Sequence, residues 1–294
     1  MSEYELLIDG DCVPGDERLD VINPATEEVF ATCSRASEAQ LNRAVEAARK
    51  AHGPWSARPI AERRAVLEAV ADVVSTHADE LARILTLKQG KPLRDATAEV
   101  HGFAAFTRTF AAMDLPVEVL EDSEARRVEA HRTSLGPVAA IIPWNFPIIL
   151  LAFKLGPALI AGNTLVVKPA PTTPLTTLRL GELIRDVVPA GVVNVIADAN
   201  DLGPLMTTHP DIRKVSFTGS TLTGARVMAG AAATLKRITL EMGGNDAGLV
   251  LDDVDPKEVA PQLFRSAFGN GGQICIAMKR LYAHEDIYDE LCDE

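Results

Sequence analysis

The stretch "GPVAAIIPWNFPIILLAFKLGPALIAGNTLVVKPAPTTP" runs from Gly136 to Pro174. It opens with a short β-branched and apolar run, "VAAII" (138–142). A proline-bounded turn follows, "PWNFP" (143–147), in which Pro147 can start a helix. An apolar helical pattern (147–161) leads to a second β-branched run, "TLVVK" (164–168), and another proline-rich turn. Strand, helix and strand at this spacing make a crossover unit of a parallel sheet. Downstream the rhythm repeats, with "VVNVI" (192–196), "KVSFT" (214–218) and "RITLE" (237–241). Helical patterns fit between the runs at 174–188, 201–208 and 221–233, the first entered by Thr173 as N-cap and Pro174 as first residue. The fold class expected is α/β, a Rossmann-like doubly wound parallel sheet. Such sheets bind ligands beyond the carboxyl ends of their strands.

Upstream, residues 37–115 read as helical. Ser37 and Gln40 hold capping-box positions, and Leu41, Ala44, Val45 and Ala48 share one face. A longer pattern carries Val66, Leu67, Val70, Val74, Leu81, Ile84 and Leu85 and stops at Gly90 and Pro92. His77, close to that apolar face, reads as structural. Residues 117–134 alternate around the acidic turn Glu121–Glu124 and predict a β-hairpin, either a solvated flap or an arm that pairs with another subunit.

The composition suits a globular protein of 294 residues, 47% hydrophobic and 24% charged. A net charge of −12 argues against nucleic acid and anionic lipid as partners, since both recruit clustered Lys and Arg. The most apolar stretch, 147–162, is interrupted by Lys154 and Pro157 and predicts a buried helix rather than a membrane span. The N-terminus has neither a basic n-region nor a long apolar core. Cys12, Cys33, Cys275 and Cys292 form no C-x-x-C pair and lie near no histidine at ligand spacing, so no metal is expected and reducing cytoplasm is the expected compartment.

The strand ends carry the chemistry-bearing residues. Asn145, framed by two prolines, is either an amide donor to an oxyanion or a turn asparagine capping the next helix. Lys168 either binds ribose or phosphate or is a surface lysine. "GSTLTGAR" (219–226) is a glycine turn opening a helix, suited to an anion. Its Ala225 and Arg226 stand where a P-loop needs Lys and Ser/Thr, and no G-x-G-x-x-G occurs in the chain. Glu241, in "EMGGN" (241–245), is either a general base raised by partial burial or a helix-capping or ion-paired carboxylate. "GNGGQICIA" (269–277) sets Cys275 behind three glycines, which let the backbone turn tightly and approach a flat carbonyl group. Free N–H groups at a helix start would assist a thiolate there. The alternative is a buried structural cysteine.

Together, "PWNFP" (143–147), "VVKP" (166–169), "FTGST" (217–221), "LEMGGN" (240–245) and "FGNGGQIC" (268–275) occur in an order and spacing that resemble the aldehyde dehydrogenase superfamily. "INPATEEVF" and the "GKP" at 90–92 resemble it too. The resemblance implies oxidation of an aldehyde to a carboxylic acid with NAD or NADP. Cys275 would attack the aldehyde, Asn145 and the Cys275 N–H would hold the oxyanion, and Glu241 would activate water to release a thioester. The dinucleotide would lie on Ile142, Pro143, Trp144, Asn145, Lys168, Ala170, Pro171, Gly203, Phe217, Thr218, Gly219, Ser220, Thr223, Met242 and Gly243. A homo-oligomer would form in a full-length chain, with the 117–134 hairpin as arm.

Some positions depart from the family pattern. Pro171 replaces a glutamate that grips ribose hydroxyls in many NAD-specific members, which admits NADP. Lys88 stands ahead of the "GKP" where Glu is usual, and Gly271 replaces Ala or Ser. Family chains continue well past the cysteine, so residues 1–243 are expected to form the NAD(P)-binding domain and 244–294 the beginning of a second α/β catalytic domain. Without more of that domain, residues 246–294 have little to pack against and are expected to be disordered, and the chain could be a cofactor-binding fragment. A CoA-acylating relative is disfavoured by Glu241, and a cysteine hydrolase by the absence of histidine from the strand-end motifs.

Overall fold

The computed structural model describes residues 4–294; Met1–Glu3, the first residues of the N-terminus read above for a leader, lie outside the described residues. β1 (Leu6–Ile8) and β2 (Asp11–Val13) form a hairpin. Its two-residue turn has φ +57° at Asp9 and +87° at Gly10, the geometry that matches strand twist. β3 (Glu17–Asn23) and β4 (Glu28–Arg35) make a separate antiparallel pair.

Four helices follow. α1 (Glu38–Ser56) starts with the predicted capping box, Ser37 and Gln40 each bonding the other's backbone N–H. The long pattern beyond it is two helices, α2 (Ile60–Thr76) and α3 (Ala78–Gln89), broken at His77, which bonds Glu80 instead of packing in the core. Gly90 then ends α3 in the left-handed conformation, with φ +83°. α4 (Leu93–Ala111) buries Ala96, Glu99, Val100, Phe103 and Thr107 along one stripe. The charged hairpin is present as β5 (Glu118–Asp122) and β6 (Arg127–Ala130).

The second half alternates as expected: β7 (Pro137–Ile141), α5 (Pro147–Ile160), β8 (Thr164–Lys168), α6 (Leu175–Ile184), β9 (Val193–Val195), α7 (Gly203–Thr208), β10 (Lys214–Thr218), α8 (Thr221–Ala232) and β11 (Arg237–Glu241). Every residue of β7 and β8 is buried, as befits strands covered on both faces. Thr173 does not cap α6. Pro174 takes the cap position with no side-chain bond, and the Thr173 hydroxyl finds no partner among the described residues.

The central sheet has the order β11-β10-β7-β8-β9-β1-β2. Its five predicted strands are mutually parallel, but the sheet is mixed, because β1 joins β9 antiparallel and brings β2 with it. Strands of three residues carry too short an alternation to announce themselves. The chain steps from β7 to β8 to β9, then returns to place β10 on the other side of β7. The order therefore reverses between β7 and β10, which is where ligand crevices open in such sheets.

β12 (Asp246–Val250) and β13 (Met278–Ala283) pair parallel in a second small sheet, flanked by α9 (Pro256–Phe268) and α10 (Tyr288–Asp293). The expected disorder of 246–294 is replaced by regular elements, but the packing is thin as foreseen. Leu249, Leu251, Phe264 and Phe268 remain exposed, whereas Trp55, Leu67, Phe103 and Leu155 of the main core are fully buried.

Candidate active site at the sheet switch point

A cavity of about 810 Å³ opens at the carboxyl ends of the strands, around the junction of β7 and β10. Every residue assigned above to the dinucleotide lines it, and so do Asn145 and Cys275. Glu241 does not reach its wall. It ends β11 exposed, rather than partly buried as expected.

Three loops are stitched together here. The Asn145 Nδ2 donates to the Gln273 carbonyl at 3.0 Å, two residues before Cys275. The Gly244 N–H donates to the Cys275 carbonyl at 2.9 Å, so the loop after Glu241 holds the cysteine turn from the other side. The Gly219 N–H donates to the Glu241 carbonyl at 3.0 Å. Asn145 is thus no helix cap: Phe146 takes the cap position of α5, and among the described residues it makes no side-chain cap bond. Cys275 is half-buried and lies in a turn rather than at a helix start. The turn is shaped upstream by left-handed residues, with φ +52° at Asn270, +65° at Gly271 and +75° at Gly272.

The turn carrying Asn145 rests on a buried ion pair. Lys91 and Glu99 bond one another with side chains 0% and 1% exposed. Lys91 Nζ also donates to the Asn145 carbonyl at 2.9 Å and sits 3.5 Å over the Phe146 ring. The second oxygen of Glu99 accepts the N–H groups of Ile148 and Ile149 at 2.9 and 3.2 Å, capping α5 from outside with negative charge. Sequence reasoning missed this pair, although a glutamate within the apolar stripe of α4 is the signal for it. Lys88, unexplained in the sequence, is buried and donates to the Thr173 carbonyl at 2.5 Å. It clamps the loop after β8 to the end of α3. Burial pulls its ammonium down to about 7.

Lys154, which interrupts the apolar stretch of α5, bonds the end of β10 rather than breaking the helix. Its Nζ donates to Thr218 Oγ1 at 2.8 Å and Ser216 Oγ at 3.3 Å. Burial lowers it to about 8, opposed by the nearby Glu241 carboxylate.

The wall fits a dinucleotide. Ser220 caps α8, its hydroxyl accepting from the Thr223 N–H at 3.2 Å, and leaves a helix N-terminus facing the cavity. A Cβ at Gly219 would lie 2.5 Å from the Phe217 ring, which would have to shift to admit it. Lys168 lines the cavity, 5% exposed at its side chain, and so is not the surface lysine of the alternative reading.

A profile of the "Aldehyde dehydrogenase family" matches residues 13–294. A Pseudomonas protein named "Probable aldehyde dehydrogenase" is 43% identical over 293 residues, covering 100% of this chain and 60% of the relative. The Escherichia coli K12 succinate-semialdehyde dehydrogenase [NADP(+)] GabD is 37% identical, over 100% of this chain and 62% of its own. Among solved structures, PnpE in complex with nicotinamide adenine dinucleotide superposes with a TM-score of 0.95 at 38% identity, over 100% of this chain and 61% of that one. This chain therefore spans about 60% of the length of the proteins it matches.

Proposed function

The chain belongs to the aldehyde dehydrogenase family, and we propose that its switch-point cavity oxidises an aldehyde to a carboxylic acid with NAD or NADP. The observation that carries this reading is the convergence of Asn145 and Cys275 on one cavity, their loops tied by the 3.0 Å bond from Asn145 Nδ2 to Gln273 O. Relatives named for NADP use and solved with NAD support either dinucleotide. Residues up to 243 form the dinucleotide-binding part in this reading, and 244–294 begin the part that completes the catalytic pocket.

Bound NAD(P) supplies the hydride acceptor. The residues of the chain do the rest. The Cys275 thiolate adds to the aldehyde carbon. The second N–H of the Asn145 amide, not used by Gln273, and the Cys275 backbone N–H stabilise the oxyanion; one such donor is typically worth about 3–4 kcal/mol. Loss of hydride leaves an acyl thioester on Cys275. Glu241 takes a proton from the water that attacks it, and the acid departs as the thiolate is regenerated. Ser220, Gly219 and the α8 N-terminus hold pyrophosphate, and Lys168 meets the adenosine ribose.

One observation favours a second reading, a chain that binds dinucleotide without turnover. Glu241 is exposed, and the β12–β13 unit leaves Leu249, Phe264 and Phe268 uncovered, so the acid-releasing half of the pocket is thinly walled. Reduced-nicotinamide absorbance with a panel of aldehydes decides between them. Turnover that disappears in Cys275→Ala supports the enzyme; dinucleotide binding without turnover supports the binding-only chain.

A further inference from the structure

The carboxyl ends of β8 and β9 hold a buried ion pair facing the cavity from behind. Lys168 Nζ donates to Asp198 Oδ1 at 2.6 Å, with the side chains 5% and 0% exposed. The other carboxylate oxygen, Oδ2, accepts the Leu202 N–H at 2.9 Å. Asp198 thereby ties the lysine to the loop that opens α7. Gly203, at the start of α7, covers the lysine stem: a Cβ there would stand 3.9 Å from Lys168 Cε. Lys168 lines the cavity, whereas Asp198 is wholly buried and does not. The ammonium thus offers donors to the cavity, but its charge is already balanced.

This arrangement separates the two dinucleotides. A ribose with a free 2′-hydroxyl needs hydrogen-bonding groups and no net charge. A 2′-phosphate needs an uncompensated cation to replace the water it sheds. Pro171 and Thr172, next along the β8 loop, provide none. The other cationic side chains lining the cavity among the described residues are Arg226, on α8, and Lys279, which donates to the Gly244 carbonyl at 3.2 Å near the cysteine turn. Resting on the reading of this cavity as a dinucleotide site, we infer that Asp198, by neutralising Lys168, makes the chain select NAD over NADP. The absence of a carboxylate at Pro171 is offset from a different strand. Asp198 acts through Lys168 as a positioning residue and touches no ligand.

The test is equilibrium binding, which needs no turnover. Trp144 lines the cavity while Trp55 is 1% exposed, so quenching of Trp144 emission reports occupancy. NAD and NADP are titrated into the 294-residue chain, its Asp198→Asn variant and the Lys168→Met/Asp198→Asn double variant. The expected wild-type result is NAD binding at least about tenfold tighter, the size of one charge-assisted contact. Asp198→Asn keeps an acceptor for Leu202 and frees the lysine charge, so the ratio shifts about tenfold toward NADP. The double variant loses that gain. NADP binding as tightly as NAD in the wild type overturns the inference, as does an unchanged ratio in Asp198→Asn. Loss of NADP affinity in Arg226→Gln with wild-type preference for NADP would assign the phosphate to Arg226 instead. If Asp198→Asn does not fold, the wild-type ratio decides alone. Neither dinucleotide binding would overturn this inference together with the cofactor reading, whereas binding of both with no preference overturns this inference only.

Discussion

Lys88→Met should make the protein more stable at neutral pH and less stable at high pH, with the sign changing between. Lys88 is buried, and among the described residues its ammonium donates to the Thr173 carbonyl, at 2.5 Å. Desolvation lowers its ammonium from 10.5 to about 7, the Lys91 charge adds to the lowering, and Glu99 opposes it. Cys33 is also near, but burial holds that thiol up at about 12, so it stays protonated through the window. Because the folded value is depressed, the unfolded chain binds more protons between about pH 7 and 10.5. Stability then rises with pH across that window, by up to about 1.4 kcal/mol per pH unit. The full penalty, on the order of 4–5 kcal/mol, applies below pH 7 and has vanished by pH 10.5. Methionine of similar length removes the penalty but leaves the Thr173 carbonyl without its donor, a loss of about 1–3 kcal/mol at every pH. Net stabilisation is therefore expected at pH 7 and net destabilisation of about 1–3 kcal/mol near pH 10.5. Urea unfolding of both proteins at pH 7, 8, 9 and 10, followed by tryptophan fluorescence, gives the difference curve, in which the other titrating groups cancel. A difference independent of pH would refute the reasoning, for it would mean that Lys88 folds with its proton on.

Glu99→Gln leaves Lys91 buried without its countercharge and should cost about 3–5 kcal/mol in the same unfolding assay, whereas Lys91→Met/Glu99→Gln should recover part of that loss. Equal losses in single and double variants would show that the pair contributes nothing as a pair. Asn145→Ala should lower aldehyde turnover about 10²–10³-fold, as removal of one oxyanion donor does, with dinucleotide affinity within a few-fold of the wild type; an unchanged rate would remove Asn145 from the mechanism. Gly219→Ala drives a methyl to 2.5 Å from the buried Phe217 ring and should cost about 1–3 kcal/mol of stability and weaken dinucleotide binding at the α8 N-terminus. Unaltered binding would place the pyrophosphate elsewhere.

Most of the parallel core was legible because its signals are local. β8 and β10 fall at the predicted residues, and the capping box at Ser37 and Gln40 starts α1 as read. A strand buried on both faces announces itself by composition, and a helix start by its cap, without knowledge of what lies across the sheet. Order along the chain also sufficed to set Asn145, Lys168 and Gly219 at strand ends, hence on one side of the sheet, whereas Cys275, in a turn ahead of β13, is brought there by the fold. The misreadings were of another kind. β1 and β2 are three residues each and become strands only because β9 offers an open edge. Thr173 loses its capping role because its carbonyl and loop are held by Lys88 from a distant helix. Glu241 was expected to be partly buried, but burial depends on what packs over β11, and the described residues leave it exposed. The supports of the site were invisible for the same reason. Lys91 with Glu99 and Lys168 with Asp198 are ion pairs between separate elements, and a charged residue in a sequence carries no mark of its partner. The five parallel strands and the order of their loops were readable from the chain alone, since these follow from short-range pattern. Which charges are neutralised, which amide is tethered and which carboxylate stands in solvent depend on distances across the fold, which no local pattern carries.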